Sequence, residues 1–400
     1  MQTKILSDMA EAAEIIKRGG LVAVPTETVY GLAANAMSEA AVQRIFEVKG
    51  RPENKPLSIL VGDASAVGQY SVNAPKAAYS LAERFWPGPL TIVLRSVPEI
   101  PAVVRAGGET IGLRCPDHPL TLELLRLTGT PLAAPSANPS GSPSPKTAAE
   151  VLAYFDGMID GVIDGGECGF GFESTIIDMS RIPYDILRRG ALDESEVFSA
   201  ITDTLKVIGI TGGTGGGKTT ALQILGDMGA LTLDCDVIYH ELLERSGDML
   251  AEIGARFPGV VENGVIQRKR LGEIVFADEN ALSDLNAITH KYVTMEVEAR
   301  LGDWARQGNK IAAIDAIALI ESGIAERCDA VVGVVAGREA RIQRVMDREG
   351  ISKEYAERRI GAQKPDSFFI EHCSHILYNN GDFAAFRNSC RELFEKIIIE

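Results

Sequence analysis

The stretch Gly212–Gly213–Thr214–Gly215–Gly216–Gly217–Lys218–Thr219 satisfies the pattern G-x-x-x-x-G-K-[ST] at every fixed position. In front of it, Lys206–Val207–Ile208–Gly209–Ile210 is apolar enough for a buried strand. Behind it, Thr220–Ala221–Leu222–Gln223–Ile224–Leu225 has the spacing of a helix start. A flexible glycine linker lacks both brackets. A loop in this setting wraps phosphates with backbone N–H groups at a helix N-terminus, and side chains would block the wrap. The pattern predicts an ATP-binding set of Gly213, Thr214, Gly215, Gly216, Gly217, Lys218, Thr219 and Thr220. Lys218 would reach the β- and γ-phosphates, and Thr219 would hold Mg²⁺.

The motif falls near the middle of a 400-residue chain, a length that calls for two cores. The polar, acidic stretch from Leu192 to Asp203 lies between an apparent last strand at Tyr184–Leu187 and the strand at Val207. The joint is expected at 193–206, separating a domain at 1–195 from one at 206–400. Strand and helix patterns alternate in both halves, so both are expected to be α/β, the second with a mostly parallel, doubly wound sheet. The Pro/Ser-dense segment Ala134–Pro145 sits between a strand-like and a helix-like run and is expected to be a loop inside the first domain.

The net charge is −15, and neither half is basic, which argues against a phosphate-driven nucleic-acid binder. No stable nucleic-acid binding is expected. The six cysteines form no C-x-x-C pair, and no apolar run reaches membrane-spanning length. These features predict a cytoplasmic protein with buried thiols and no membrane association.

In the second half, Asp234–Cys235–Asp236 follows a strand, where a doubly wound sheet presents residues to its ligand. Either carboxylate could accept the proton of an attacking hydroxyl; either could instead cap the next helix. Asp236 is favoured as the base, with Asp234 as cap or in the Mg²⁺ shell. Arg341, Arg344 and Arg348 recur at helical spacing, so one helix face could close cations over a transferring phosphoryl group. This half resembles the dephospho-coenzyme A kinases through the phosphate loop, Asp234–Cys235–Asp236–Val237–Ile238, Gln267–Arg268, Leu285–Asn286–Ala287–Ile288–Thr289–His290, Glu321–Ser322–Gly323, Arg359 with Gln363, and Asn379–Asn380–Gly381. The resemblance implies a P-loop kinase with a helical lid that phosphorylates the 3′-hydroxyl of dephospho-CoA. It implies Asp236 as base, Asp234, Arg268 and His290 at the acceptor, Arg344 and Arg348 on anionic groups, and Asn380 near the adenine. The chain departs from the family at Lys291, where proline is usual, and at Ala316–Ile320, where a Pro-Leu-Leu run is usual.

The first half has no phosphate loop. It carries clusters of small hydroxyls and cations at strand ends: Pro25–Thr26–Glu27–Thr28–Val29–Tyr30–Gly31–Leu32, Lys49–Gly50–Arg51 with Lys55–Pro56–Leu57, Ser136–Ala137–Asn138–Pro139–Ser140–Gly141 and Glu173–Ser174–Thr175–Ile176, with Arg114 and Arg188 ending strand-like runs. Singly each has a local explanation; together they resemble an anion pocket. These motifs are similar to those of the threonylcarbamoyl-AMP synthase family over about residues 5–190. The resemblance implies a twisted α/β domain making L-threonylcarbamoyl-AMP and pyrophosphate from ATP, L-threonine and bicarbonate with Mg²⁺, for a downstream tRNA-threonylcarbamoyl transfer complex. An anionic nucleophile must then meet an anionic α-phosphate, so Lys49, Arg51 and Lys55 would offset repulsion and steady the leaving group. Lys49 and Arg51 are the catalytic candidates. Ser136, Asn138, Ser174 and Arg188 would fix the nucleotide, and Thr26, Thr28, Tyr30 and Arg114 would line the threonine end, with His118 beside them. The competing readings are an RNA-binding module for the first half and a regulatory NTPase for the second.

Overall fold

The computed structural model describes residues 2–399. It divides into two compact units: one runs to Thr204 and includes Arg306–Gly308, and the other comprises Leu205–Ala305 with Asn309 onward.

The first unit is built on a ten-stranded mixed sheet. In chain order its elements are β1 (Lys4–Leu6), α1 (Met9–Lys17), β2 (Val22–Val24), β3 (Gly31–Asn35), α2 (Glu39–Lys49), β4 (Ser58–Leu60), α3 (Ala66–Tyr70), α4 (Lys76–Phe85), β5 (Leu90–Arg95), β6 (Thr110–Arg114), α5 (Pro119–Thr128), β7 (Leu132–Ala133), α6 (Ala148–Phe155), β8 (Gly161–Ile163), β9 (Thr175–Asp178), β10 (Asp185–Arg188) and α7 (Glu194–Thr202). The strand order is β1-β8-β2-β3-β7-β4-β6-β5-β9-β10. Leu124 and Ile16, from α5 and α1, pack on Val22, Val24 and Ala33 of the sheet in one fully buried cluster. The Pro/Ser segment between β7 and α6 is a loop of this unit. The polar, acidic stretch expected at the joint holds α7. Its Asp193 accepts from Ser195 N–H as N-cap, and Val197, Ala200 and Ile201 are buried. Acidic side chains mask that periodicity because they occupy only the outward positions.

The second unit is a five-stranded sheet whose every pairing is parallel. Its elements are β11 (Lys206–Thr211), α8 (Lys218–Asp227), β12 (Leu231–Asp234), α9 (Cys235–Arg245), α10 (Gly247–Arg256), the hairpin β13 (Val261–Glu262) and β14 (Val265–Ile266), α11 (Arg268–Val275), α12 (Glu279–Arg306), β15 (Ile311–Asp315), β16 (Ala330–Val335), α13 (Arg338–Glu349), α14 (Lys353–Gly361), α15 (Asp366–His372), β17 (His375–Tyr378) and α16 (Phe383–Ile399). The order β12-β15-β11-β16-β17 puts β11 at the centre. The chain leaves β11 toward one edge and β16 toward the other, so a crevice opens at their carboxyl ends, where the glycine loop lies. Ile208, Ile210 and Val332 of the strands pack with Ala221 and Leu225 of α8 and Phe394 of α16. Helices α13 and α14 form a hairpin on Ile342, Val345, Ala356 and Ile360, the expected helical lid.

Candidate functional sites

The glycine loop follows β11, and Gly217, at φ 117°, is the N-cap of α8. Gly212 and Gly215 also take positive φ, at 138° and 79°, which L side chains rarely adopt. At Gly213 a Cβ would stand 2.0 Å from the Arg341 guanidinium, so a side chain there would have to displace that group from its hydrogen bonds. Among the described residues no protein acceptor meets the N–H of Gly215, Gly217, Lys218 or Thr219. Four open amides at a helix N-terminus make an anion cradle. Among the described residues no side-chain hydrogen bond or ion pair engages Lys218, Thr219 or Thr220, and Lys218 acts electrostatically on Asp315.

Beside the cradle lies a carboxylate that the sequence reading missed. Asp315 ends β15, directly opposite Ile210 of β11 and Asp234 of β12. It is 6% exposed, and its Oδ1 has no hydrogen-bond partner. Burial pushes its carboxyl up to about 7; Lys218 pulls it down, and Asp234 and Asp236 push it further up. An orphaned acid facing a phosphate cradle fits a divalent cation that brings phosphate and water oxygens with it. No cluster of three or more His, Cys, Asp or Glu among the described residues forms a ready-made cage.

Asp234 is the N-cap of α9, accepting from Asp236 N–H at 2.9 Å and Val237 N–H at 3.2 Å. The cap alternative therefore describes it. Asp236, with that duty taken by its neighbour, lines a cavity of about 280 Å³ with Tyr239, Asn286, Thr289, His290 and Ser322. Burial lowers the His290 pKa, partly offset by Glu321. Arg268 opens α11 and acts electrostatically on Tyr239. Ala316, Ile317 and Ala318 form part of the cavity wall, so that departure from the family pattern touches the site. Lys291 does not touch it; its ammonium pairs with exposed Glu252 at 2.8 Å.

The arginines of the α13 face all make contacts within the protein. Arg344 donates to Gly215 O at 3.1 Å and to Asn379 O at 3.0 Å, so it braces the loop. Arg348 pairs with Glu349, which also pairs with Arg359. Asn380 accepts from Gly337 N–H at 2.7 Å. Its neighbour Asn379 is the one inside, donating to Gly216 O at 2.8 Å. Buried Arg341, the first arginine of that helix face, donates to Thr214 O at 3.0 Å and to Asp366 at 2.9 Å.

In the first unit, a cavity of about 180 Å³ is lined by Thr26, Arg51, Arg114, Ser136, Glu173, Ser174 and Arg188, among others. Three guanidinium groups from distant sequence positions converge there. The register shift before Arg188 sets it opposite Ile176 of β9, from where it donates to Ser174 O and Oγ at 3.0 Å each. Burial lowers the Arg188 pKa; Glu173 opposes that and Arg114 adds to it. Thr91, which the sequence reading passed over, fixes the Ser174 hydroxyl at 2.8 Å. Arg114 donates to Thr28 Oγ1 at 2.7 Å and to Glu27 at 2.8 Å, and its Nε is buried without a partner. Glu27, also unassigned from sequence, orients that guanidinium and accepts from Asp117 N–H. Thr26 receives Thr28 N–H and Val29 N–H, holding the turn closed.

Lys49 sits in the last turn of α2, before the left-handed Gly50. Its ammonium donates to Ser136 O and Asn138 O. Burial, with Arg51 nearby, pulls its pKa down to about 7. It thus ties the Ser136–Asn138 turn to the cationic loop. Arg51 donates to Pro56 O and reaches the cavity. Lys55 is exposed and outside the lining. Asn138 donates to Pro139 O and Ser142 O, with Oδ1 buried and unpartnered. Tyr30 and Thr28 stand behind the lining, and the Tyr30 hydroxyl bonds Gly166 O and Gly165 N–H. His118 is half-buried with an unpartnered Nδ1, and burial lowers its pKa.

Residues 14–190 match the Sua5/YciO/YrdC family model, described as telomere recombination, and residues 206–385 match the dephospho-CoA kinase model. The first half is 48% identical over 190 residues to a threonylcarbamoyl-AMP synthase of Pyrococcus abyssi, covering 48% of this chain and 56% of that protein. The second half is 36% identical over 194 residues to a dephospho-CoA kinase of Geobacter sulfurreducens, covering 48% of this chain and 98% of that enzyme. The chain spans about half the length of the curated synthases it matches. A crystal structure of P. abyssi Sua5 complexed with L-threonine aligns with 84% of this chain and all of its own length, at 26% identity and a TM-score of 0.48. No helix among the described residues is long and apolar enough to cross a membrane.

Proposed function

We propose that this chain, which belongs to the dephospho-CoA kinase family through residues 206–385 and carries a Sua5/YciO/YrdC domain at 14–190, is a bifunctional ATP-using enzyme. The kinase unit transfers the γ-phosphoryl group of ATP to the 3′-hydroxyl of dephospho-CoA. The first unit makes L-threonylcarbamoyl-AMP from ATP, L-threonine and bicarbonate, releasing pyrophosphate and water.

The kinase reading is carried by the four open amides beside the orphaned Asp315 carboxylate. The amides and Lys218 hold the triphosphate. Asp236, free of capping duty, accepts the hydroxyl proton as the oxygen attacks the γ-phosphorus and ADP leaves. Thr219 and Asp315 are the residues that would hold Mg²⁺, which supplies charge neutralisation across the phosphates. The acceptor occupies the cavity lined by Tyr239, Asn286 and His290.

The synthase reading is carried by the convergence of Arg51, Arg114 and Arg188 on one cavity. The threonine amine adds to the carbon of bicarbonate or CO₂, giving a carbamate. A carbamate oxygen then attacks the α-phosphorus and pyrophosphate departs. Both partners are anions, so the guanidiniums lower the approach cost and take up charge on the leaving group. Arg114, held by Glu27, faces the amino-acid end; Arg188 and Ser174 face the nucleotide. Glu173 is the one carboxylate among the described lining residues; it accepts from Ser144 Oγ at 2.8 Å, and positioning carries the rate. The product would pass to a tRNA-threonylcarbamoyl transfer complex. The six free thiols suit the reducing cytoplasm, where we place both activities.

Mass-spectrometric product analysis tests both halves. One tube holds ATP, Mg²⁺, threonine and bicarbonate; the other holds ATP, Mg²⁺ and dephospho-CoA. Threonylcarbamoyl-AMP in the first and CoA in the second are expected. Acceptor-independent ATP hydrolysis in the second would overturn the kinase assignment.

A further inference from the structure

The tip of the phosphate loop is gripped by a side chain that no phosphate-binding role requires. Gln363, between α14 and α15, accepts Thr214 N–H on Oε1 at 2.9 Å and donates from Nε2 to Thr214 Oγ1 at 2.7 Å. The amide cannot be turned over. Oε1 also receives Arg341 Nη2 at 3.2 Å, and Arg341 and the Thr214 N–H are donors only, so the oxygen must face them. Arg341 in turn holds Thr214 O and is anchored by Asp366. Thr214 and Arg341 are each 5% exposed. Both faces of the Thr214 backbone and its hydroxyl are therefore committed to the lid side of the loop.

That commitment has a consequence for the cradle. Gly212, Gly215 and Gly217 all take positive φ. Such a glycine-rich loop has many alternative conformations and loses much entropy when it is ordered. A loop ordered before the ligand arrives does not draw on binding energy for ordering. Turning the Thr214 peptide outward also leaves Gly215, Gly217, Lys218 and Thr219 to present their amides inward.

We propose that Gln363 is a positioning residue for ATP: by clasping Thr214 it holds the phosphate loop in its binding shape before the nucleotide arrives. The proposal rests on the kinase reading for the identity of the ligand. It predicts that the clasp acts on ATP and not on the acceptor, because Gln363 and Thr214 lie outside the lining of the Asp236 cavity.

The test uses the full chain with four variants: Gln363→Met, Thr214→Val, the double variant, and Thr214→Ser. Steady-state kinetics with dephospho-CoA and calorimetric ATP titration are read on each. Gln363→Met and Thr214→Val should each raise the KM for ATP about tenfold, with the KM for dephospho-CoA unmoved. The double variant should be no worse than Gln363→Met alone, since that substitution already removes the hydroxyl contact that Thr214→Val breaks. Thr214→Ser, which keeps the hydroxyl, should return the KM toward wild type. An unchanged ATP KM, additive losses, or an equal rise in acceptor KM would overturn the clasp. If wild type binds ATP but never phosphorylates the acceptor, the kinase reading fails, and calorimetry on the same variants still decides the clasp.

Discussion

Asp315→Asn should change how the stability of the kinase unit depends on pH, and the size of the change follows from the site. The carboxyl titrates near 7 in the folded unit against 3.8 when free. Below pH 3.8 both states are protonated and the group is neutral in its effect. Between 3.8 and 7 the unfolded chain releases the proton while the folded unit retains it, so stability falls as pH rises; above 7 the penalty is constant. From pH 5 to pH 8 the slope acts over about two units, a loss of about 3 kcal/mol at 1.36 kcal/mol per unit. The group is too buried for solvent to screen this away. Asparagine cannot ionise, so the variant should gain about 3 kcal/mol on wild type between pH 5 and pH 8. Any constant cost of an unpaired amide cancels in that difference. The chain has two tryptophans, and Trp304 lies in the kinase unit while Trp86 lies in the other. In a Trp86→Phe background, urea unfolding followed by Trp304 fluorescence isolates the relevant transition. A variant-minus-wild-type difference that is the same at both pH values would refute the burial argument. Acceptor-dependent phosphorylation should also fall steeply in Asp315→Asn if the carboxylate serves the bound metal.

Lys218→Ala should abolish dephospho-CoA-dependent ATP turnover and leave threonine-dependent pyrophosphate release intact, read by coupled ADP and pyrophosphate assays on one preparation. Lys49→Met should end pyrophosphate release. The Lys49 pKa is about 7 folded against 10.5 free, so the unfolded state binds the extra proton and wild-type stability of the first unit should rise between pH 7 and 10.5. The methionine variant should lack that rise when unfolding is followed through Trp86. Arg114→Lys should raise the KM for threonine about tenfold, because a single ammonium cannot serve Thr28 and Glu27 while facing a ligand carboxylate.

The phosphate loop was legible because its chemistry excludes side chains, and glycines in that pattern have few other uses. The parallel sheet was legible for a related reason: buried strands on both faces read as short apolar runs such as Ala330–Val335. What escaped was the choice between ligand and protein as the partner of a polar group. Arg344 has the spacing of a ligand-binding arginine, yet its donors go to loop carbonyls, and nothing in its neighbours distinguishes the two. Asn379 and Asn380 differ by one position beyond β17, and only the exit direction of that strand selects which points at Gly216. Asp315 is one strand-end acid among several until the register with Asp234 and Ile210 brings it beside Lys218. The long helix α12 was also unread. Its buried positions, Ala281, Leu285, Ile288, Val293, Val297, Leu301 and Ala305, face more than one set of neighbours, which blurs a single apolar stripe.

On the proposed function, the two pockets would address one ligand chemistry by opposite means. In the kinase unit most donors are main-chain amides, uncharged and fixed by a helix start; in the first unit they are guanidiniums, charged and fixed by carbonyls, hydroxyls and one glutamate. Ionic strength separates these designs. Dipoles aimed at close range are little affected by screening, whereas attraction between several full charges and a triphosphate weakens as the Debye length shrinks from about 10 Å at 0.1 M toward 3 Å at 1 M salt. The ATP affinity of the first unit, measured in the Lys218→Ala chain, should therefore fall more steeply with potassium chloride than that of the kinase unit, measured in the Lys49→Met chain. Titration calorimetry across 0.05–0.5 M salt, a range of about one decade, gives both slopes. Equal slopes would mean that Arg51, Arg114 and Arg188 are spent on the protein's own carbonyls and carboxylates, and the cationic pocket would lose its claim to the nucleotide.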